Sequence, residues 1–86
     1  MRAEGIAARR AKDSTELVIT FVRDLIARGE LRPGDRLPAE RDLSSRLGVS
    51  RPTIRAGLRA LAAMGVVHPR HGSGTYIPEG PPTLGS

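Results

Sequence analysis

A connection of three residues between two short helical segments constrains this chain more than any other feature of its sequence. The first segment spans residues 39–47 and is followed by Gly48, which stops it. Ser50 is a candidate N-cap for the second segment, which is stopped by Gly65. Apolar residues recur at helical spacing in both segments, as Leu43 and Leu47 in the first and Ile54, Leu58 and Leu61 in the second. The tight Gly48-Val49-Ser50 connection therefore predicts two helices that pack against each other.

A third helix precedes this pair. Asp13 or Ser14 can cap it, Glu16 stands three residues after Asp13 as in a capping box, and Gly29 stands at a natural helix end. The apolar residues between them form one stripe, made of Leu17, Val18, Phe21, Val22, Leu25 and Ile26. The pattern predicts a helix over residues 14–28, with Phe21 in the core.

Two further turns contain glycine. Arg32-Pro33-Gly34-Asp35 has Pro and Gly at the two central positions of a type II turn. Val66-Val67-His68 and Thr75-Tyr76-Ile77 are β-prone and flank residues 70–74, which predicts a hairpin with a tip of about four or five residues. Pro69 cannot donate a ladder hydrogen bond, so we expect an irregular or edge strand there.

Three helices followed by a hairpin give a mainly α fold with a small β-hairpin, the three-helix winged helix-turn-helix. We assign this domain to residues 13–78; the chain of 86 residues has room for one small domain. Residues 1–12 lack an apolar period and are expected to form a flexible basic arm. Residues 79–86 contain Pro81 and Pro82 and are expected to be a linker.

The positive charge is concentrated in the second half of this domain. Residues 41–71 carry six Arg and one acid, whereas residues 13–40 have a net charge of −2. Arg51, Arg55 and Arg59 follow one another at i, i+4 and i+8, a spacing at which like charges repel. Although a solvated helical face could account for any single Arg, the row favours an anionic partner.

Several classes of function are disfavoured. Cysteine is absent, so disulfides, thiolate zinc sites and cysteine nucleophiles are excluded, and we expect neither a metal nor a cofactor. The serines have no neighbouring His–carboxylate arrangement, so we expect no catalytic site and no enzyme activity. No apolar run has the length of a membrane span, and we expect a cytoplasmic, nucleoid-associated protein with no membrane partner.

Duplex DNA would explain each part of the predicted fold. A helix fits the major groove, and its N-terminus presents free N–H groups and a positive dipole to phosphate. The hydroxyls of Ser50 and Thr53 would lie near the DNA backbone, while Arg51 and Arg55 could reach guanine O6 and N7. The hairpin tip, with Arg70 and His71, could enter the minor groove.

The sequence resembles the N-terminal DNA-binding domain of the GntR family of bacterial transcription regulators over residues 14–78. The resemblance is carried by "LRPGDRLPAERDL", "GVSRPTIR" and "HGSGTY", and the "SRPTIR" and "LRAL" segments are most similar to the fatty-acid-regulator-like members. It implies DNA contacts from the "AER" arginine, the recognition segment and the wing tip, here Arg41, Ser50, Arg51, Thr53, Arg55, His71 and Gly72. Ala56-Gly57 departs from the Glu-Ala usual in the family.

The resemblance also implies the partners. Family members continue into an effector-binding and dimerising domain, so we expect a repressor that binds a pseudo-palindromic operator as a homodimer. We expect this chain to be an excised piece that is monomeric alone, with any effector bound by the further domain. Two other functions stay open: a winged helix for protein–protein contact, and the targeting domain of a larger cofactor-dependent protein.

Overall fold

The computed structural model describes residues 3–79, with side chains from residue 14 onward. Three helices precede a two-stranded antiparallel hairpin, in the order α1 (Ala3–Ala27), α2 (Glu40–Leu47), α3 (Arg51–Ala63), β1 (His68–Arg70) and β2 (Gly74–Tyr76). The predicted fold class, mainly α with a small β-hairpin, is confirmed. Within the described residues, no helix has the length and apolar character that crossing a membrane requires.

Helix α1 begins eleven residues earlier than predicted. Its first residue is Ala3, so residues 3–12 continue the helix instead of forming a separate arm, and Asp13 lies inside the helix rather than at its cap. The segment has four Ala among its ten residues. Ala has the highest helix propensity, so this segment can extend a helix without an apolar stripe of its own. Residues 1–2 of the predicted arm and residues 80–86 of the predicted linker lie outside the described part of the chain.

The core consists of two adjoining clusters of buried apolar residues. One joins α1, α3 and the base of the hairpin, and contains Val22, Leu31, Leu37, Leu61, Val67 and Ile77. The other lies where α1, α2 and α3 meet, and contains Val18, Leu43 and Ile54. Phe21 is half-buried and packs against both clusters, as a core residue should. Leu17 departs from the predicted stripe because its side chain is largely exposed.

Helices α1 and α3 approach each other closely at Gly57. A Cβ atom built at this glycine would lie 2.6 Å from both Cβ and Cγ1 of Val18, which is fully buried. Gly57 is itself buried in the middle of α3. Glycine in a helix interior costs up to about 1 kcal/mol relative to Ala, and the close crossing of two backbones explains why the chain has glycine there.

The hairpin is shorter and lies further along β1 than predicted. Pairing begins at His68, opposite Tyr76, and ends at Arg70, opposite Gly74, which leaves a tip of His71, Gly72 and Ser73. Val66 and Val67 precede the strand: Val66 N–H donates to the Leu61 carbonyl (2.9 Å) at the end of α3, and the Val67 side chain is buried in the core. In the described sheet β1 pairs only with β2, and an outer strand tolerates Pro69.

The turn after α1 fixes the hairpin to the helices. Arg32–Asp35 closes with a bond from Asp35 N–H to the Arg32 carbonyl (2.9 Å), and Gly34 has φ 89°, as a type II turn requires. On the outer side of β2, Leu37 N–H donates to the Thr75 carbonyl (2.8 Å) and Ile77 N–H to the Asp35 carbonyl (2.8 Å). The wing is therefore tied through β2 to the segment that joins α1 to α2.

Candidate nucleic-acid interface

The turn between α2 and α3 is held by local hydrogen bonds. Gly48 adopts φ 68° as the C-cap of α2, and its N–H donates to the Ser44 carbonyl (2.8 Å). The Ser44 hydroxyl donates to the Val49 carbonyl, a contact that the sequence pattern did not reveal. Ser50 caps α3 as predicted, because its Oγ accepts a hydrogen bond from Thr53 N–H (3.3 Å). These bonds fix the direction in which α3 leaves the turn.

The exposed end of α3 presents donors and no acid. Ser50 Oγ and Thr53 Oγ1 are 2.9 Å apart, and the first turn of the helix contains no acidic residue. The helix therefore begins with its free N–H groups and positive dipole unopposed by acids of its own first turn, an arrangement that favours an anion.

The arginine row lies on the exposed face of α3. The side chains of Arg51 and Arg55 are 56% and 49% exposed, and Arg59 is also exposed. Ile54 and Leu61, on the opposite face, are fully buried. One helix thus carries the core on one side and a line of positive charge on the other, as the sequence predicted.

Glu40, the first residue of α2, reaches across to this row. Its Oε1 accepts a hydrogen bond from Arg55 Nε (3.3 Å) and lies 3.9 Å from Arg51 Nε. From the sequence alone, this glutamate complements the positive end of α2 or pairs with its neighbour Arg41. The contacts span 11 and 15 residues of chain, so only the packing of α2 against α3 reveals them.

Arg41 follows Glu40 and is exposed. Its neighbour Asp42 could form an ion pair with it. Among the ion pairs of the described side chains, however, none joins Arg41 to an acid. A groove of about 470 Å³ lies between this end of α2, the start of α3 and the base of the wing. Arg41 and Arg51 both line this groove, together with Arg36.

The wing tip is exposed, and side-chain contacts hold the strands behind it. His71 and Gly72 are exposed at the tip, where Gly72 has φ 74°. Behind them the Tyr76 hydroxyl is hydrogen-bonded to Ser73 Oγ (2.6 Å), and the Arg70 guanidinium lies 4.3 Å from the centre of the Tyr76 ring. Arg70 therefore lies in β1 against an aromatic ring, whereas the sequence placed it in the tip.

The structure brings most of the predicted residues together. Five of them lie on the end of α2 and the first turns of α3, where Arg41 and Arg51 line one groove and Ser50 and Thr53 are hydrogen-bonded: Arg41, Ser50, Arg51, Thr53 and Arg55. His71 and Gly72 stand apart at the wing tip and do not line the grooves beside α3. The arrangement is two separate contact elements, a helix end and a hairpin tip, on one small domain.

Comparison with known proteins agrees with this geometry. The family model described as "Bacterial regulatory proteins, gntR family" matches residues 14–77. The chain is 48% identical over 67 residues to the uncharacterised HTH-type transcriptional regulator Rv0494 of Mycobacterium tuberculosis, covering 76% of this chain and 28% of that protein. It is 50% identical over 58 residues to the mannosyl-D-glycerate transport/metabolism system repressor MngR of Escherichia coli, covering 67% of this chain and 24% of the relative. The chain thus spans about a quarter of the length of these relatives.

Solved structures show the same fold. The DNA-binding domain of AraR in complex with operator ORR3 superposes with a TM-score of 0.71 at 30% identity, covering 74% of this chain and 77% of that one. A GntR protein of Streptococcus agalactiae superposes with a TM-score of 0.67 at 39% identity, covering 74% of this chain and 31% of that one.

Proposed function

Because the chain belongs to the GntR family of bacterial regulatory proteins, we propose that it binds double-stranded DNA sequence-specifically, as the DNA-binding part of a transcriptional repressor. The observation that carries this proposal is the row of exposed arginines beside the capped, acid-free N-terminus of α3. The relatives are named as regulators, MngR as a repressor, and the AraR domain of the same fold is bound to operator DNA.

Helix α3 would enter the major groove with its N-terminus foremost. Arg51 and Arg55 lie one turn apart, and each guanidinium can donate two hydrogen bonds to O6 and N7 of a guanine. Ser50 and Thr53, at the start of the helix, would donate from their hydroxyls to backbone phosphates. Arg41, on the adjacent end of α2, would contact a phosphate along the same strand.

The wing would contact the DNA beside the recognition helix. His71 and Gly72 project at the tip of a hairpin that is fixed to the core through β2. The minor groove is narrow, and a three-residue tip with a glycine can approach it closely. We assign His71 to a minor-groove contact and Gly72 to the close approach of the backbone.

The whole protein would act as a homodimer on a pseudo-palindromic operator. Each copy would place one α3 in a half-site, so that the symmetry of the DNA matches that of the protein. Effector binding and dimerisation would belong to a further domain, since the relatives are about four times as long as the matched region. We place the protein in the cytoplasm with the nucleoid, and the "SRPTIR" and "LRAL" segments favour the fatty-acid-regulator-like subfamily.

Selection of bound duplexes from a random pool tests this proposal. We expect an enriched motif containing guanines at the positions reached by Arg51 and Arg55, and two-fold symmetric if two copies bind together. A salt titration on the selected duplex should give a steep linear fall of log K with log salt concentration, because neutralised phosphates release counterions. No enrichment together with a flat salt response would contradict DNA binding and favour the use of this fold for protein–protein contact.

A further inference from the structure

We propose that Glu40 is a positioning residue for recognition, which holds the Nε edges of Arg51 and Arg55 so that their terminal nitrogens face the DNA bases. The inference rests on the proposed DNA-binding function and adds a specificity determinant to it. Glu40 would act through the two arginines, because a carboxylate accepts hydrogen bonds and has no donor for a phosphate or a guanine edge.

A single carboxylate oxygen serves both arginines. Glu40 Oε1 lies 3.3 Å from Arg55 Nε and 3.9 Å from Arg51 Nε, and Glu40 belongs to a different helix from both. Arg55 is therefore hydrogen-bonded at Nε, the guanidinium nitrogen nearest the helix, and Arg51 Nε lies within ion-pair distance of the same oxygen. The two terminal nitrogens, Nη1 and Nη2, stay free to form the paired bonds that a guanine edge accepts.

The burial of these groups indicates a role in orientation. The Glu40 side chain is 33% exposed, whereas the arginine side chains are 56% and 49% exposed. Exposed ion pairs add little to folding stability, so stabilisation alone is a weak reason for this contact. An arginine has many rotamers in solution, and one held in its binding conformation loses less entropy when DNA binds.

Glu40 also offsets the repulsion within the row. Arg51 and Arg55 are one helical turn apart, a spacing at which like charges disfavour each other. A carboxylate facing both Nε atoms allows the two guanidinium groups to point in the same direction. The same negative charge, set behind the row, disfavours loose phosphate contact and so weakens binding to unrelated DNA.

The first arm of the test examines the free 86-residue chain by NMR. Exchange with water of the Nε–H protons of Arg51, Arg55 and Arg59 is measured in the wild type, in Glu40→Gln and in Asp42→Asn. We expect slower exchange for Arg55 than for Arg59 in the wild type, and a smaller difference in Glu40→Gln, because an amide oxygen accepts a weaker hydrogen bond than a carboxylate. Asp42→Asn, which removes the same charge from an exposed position on the same helix, should match the wild type. Equal exchange of Arg55 and Arg59 in the wild type would overturn the inference.

The second arm measures affinity for the duplex obtained from the random pool and for a scrambled duplex of the same composition. We expect Glu40→Gln to lower the ratio of the two affinities by about tenfold, the order of one loosened arginine–guanine pair, while Asp42→Asn leaves the ratio unchanged. Glu40→Asp keeps the charge but shortens the side chain by one methylene, and should lower the ratio as well. Melting curves establish that each variant is folded.

The outcomes separate the inference from the function on which it rests. An equal gain in affinity for both duplexes in Glu40→Gln, or a full wild-type ratio in Glu40→Asp, would show that Glu40 acts only as a charge, and would overturn the inference while DNA recognition stands. Equal binding of the two duplexes by the wild type would end the proposed function and the inference together. The NMR arm would then still report whether Glu40 holds the arginines.

Discussion

The two faces of α3 obey different rules. On the inner face, Ile54 and Leu61 are fully buried and Gly57 leaves no room for one more methyl group. On the outer face, Arg51 and Arg55 are about half exposed and both lie within 4.0 Å of a carboxylate from another helix. The fit of side chains in the core restricts the residues on the inner face. Charge and the direction of hydrogen bonds determine the contacts on the outer face.

This contrast separates the residues that stabilise the fold from the residues that are available for binding. The packing density of a protein interior is close to that of an organic crystal, so adding or removing one carbon atom on the inner face changes the stability of the fold. A half-exposed arginine exchanges its contacts with water at little cost, so the outer face can be changed with small effects on folding. Substitutions on the two faces should therefore act on different measured quantities.

Gly57→Ala should give the largest effect on folding. The new Cβ would lie 2.6 Å from two atoms of Val18, and neither is the end of a flexible side chain. We expect a loss of about 1–3 kcal/mol in the free energy of unfolding, as overpacking a dense core usually costs. Urea denaturation of the wild type and the variant measures it.

Val18→Ala supplies the control for this crossing. It removes Cγ1, one of the two clashing atoms. The double variant should therefore lose less stability than the sum of the two single losses. If Gly57→Ala instead stabilised the domain by up to about 1 kcal/mol, as helix propensity alone predicts, the close approach of the helices would be refuted.

Ser50→Ala, at the N-cap of α3, should have a smaller effect on folding stability than Gly57→Ala. The change removes the oxygen that accepts from Thr53 N–H at the start of α3. Loss of an N-cap costs about 1 kcal/mol of stability. Ser45→Ala, an exposed serine within α2, is the matched control and should change the melting temperature little. An equal effect of the two substitutions would argue against the cap.

Arg51→Ala should have the smallest effect on folding. Its ion pair with Glu40 is long, at 3.9 Å, and the arginine side chain is 56% exposed. We expect a change below about 0.5 kcal/mol in the free energy of unfolding, as for most surface substitutions. A loss as large as that of Gly57→Ala would remove the distinction between the two faces.

Local rules were sufficient for much of the fold. The type II turn at residues 32–35 and the capped turn before α3 follow from Pro, Gly and Ser at particular positions, and both are present. The beginning of α1 was missed because residues 3–12 form a helix through Ala content and not through an apolar stripe. The start of β1 was missed because Val66 N–H bonds to the Leu61 carbonyl at the end of α3, a contact that β propensity does not report.

The candidate site could also be predicted only in part, because local patterns show contacts within one helix but not contacts between helices. The arginine row follows from spacing along a single helix, which a sequence displays directly. The partner of that row, Glu40, and the clash that requires Gly57 arise between helices, from the way α2 and α1 cross α3. Residues far apart in sequence meet only after packing, and no local pattern records their distance.

The central claim, that the outer face of α3 recognises base sequence, is tested most directly by the effect of Arg51→Ala on DNA preference. Affinities are measured at one salt concentration for the selected duplex and for its set of single base-pair substitutions. We expect a loss of about 1–3 kcal/mol on the selected duplex and a relaxed preference at one base pair, with the other positions unchanged. A uniform loss across every duplex would contradict base recognition by Arg51 and leave it only a phosphate contact.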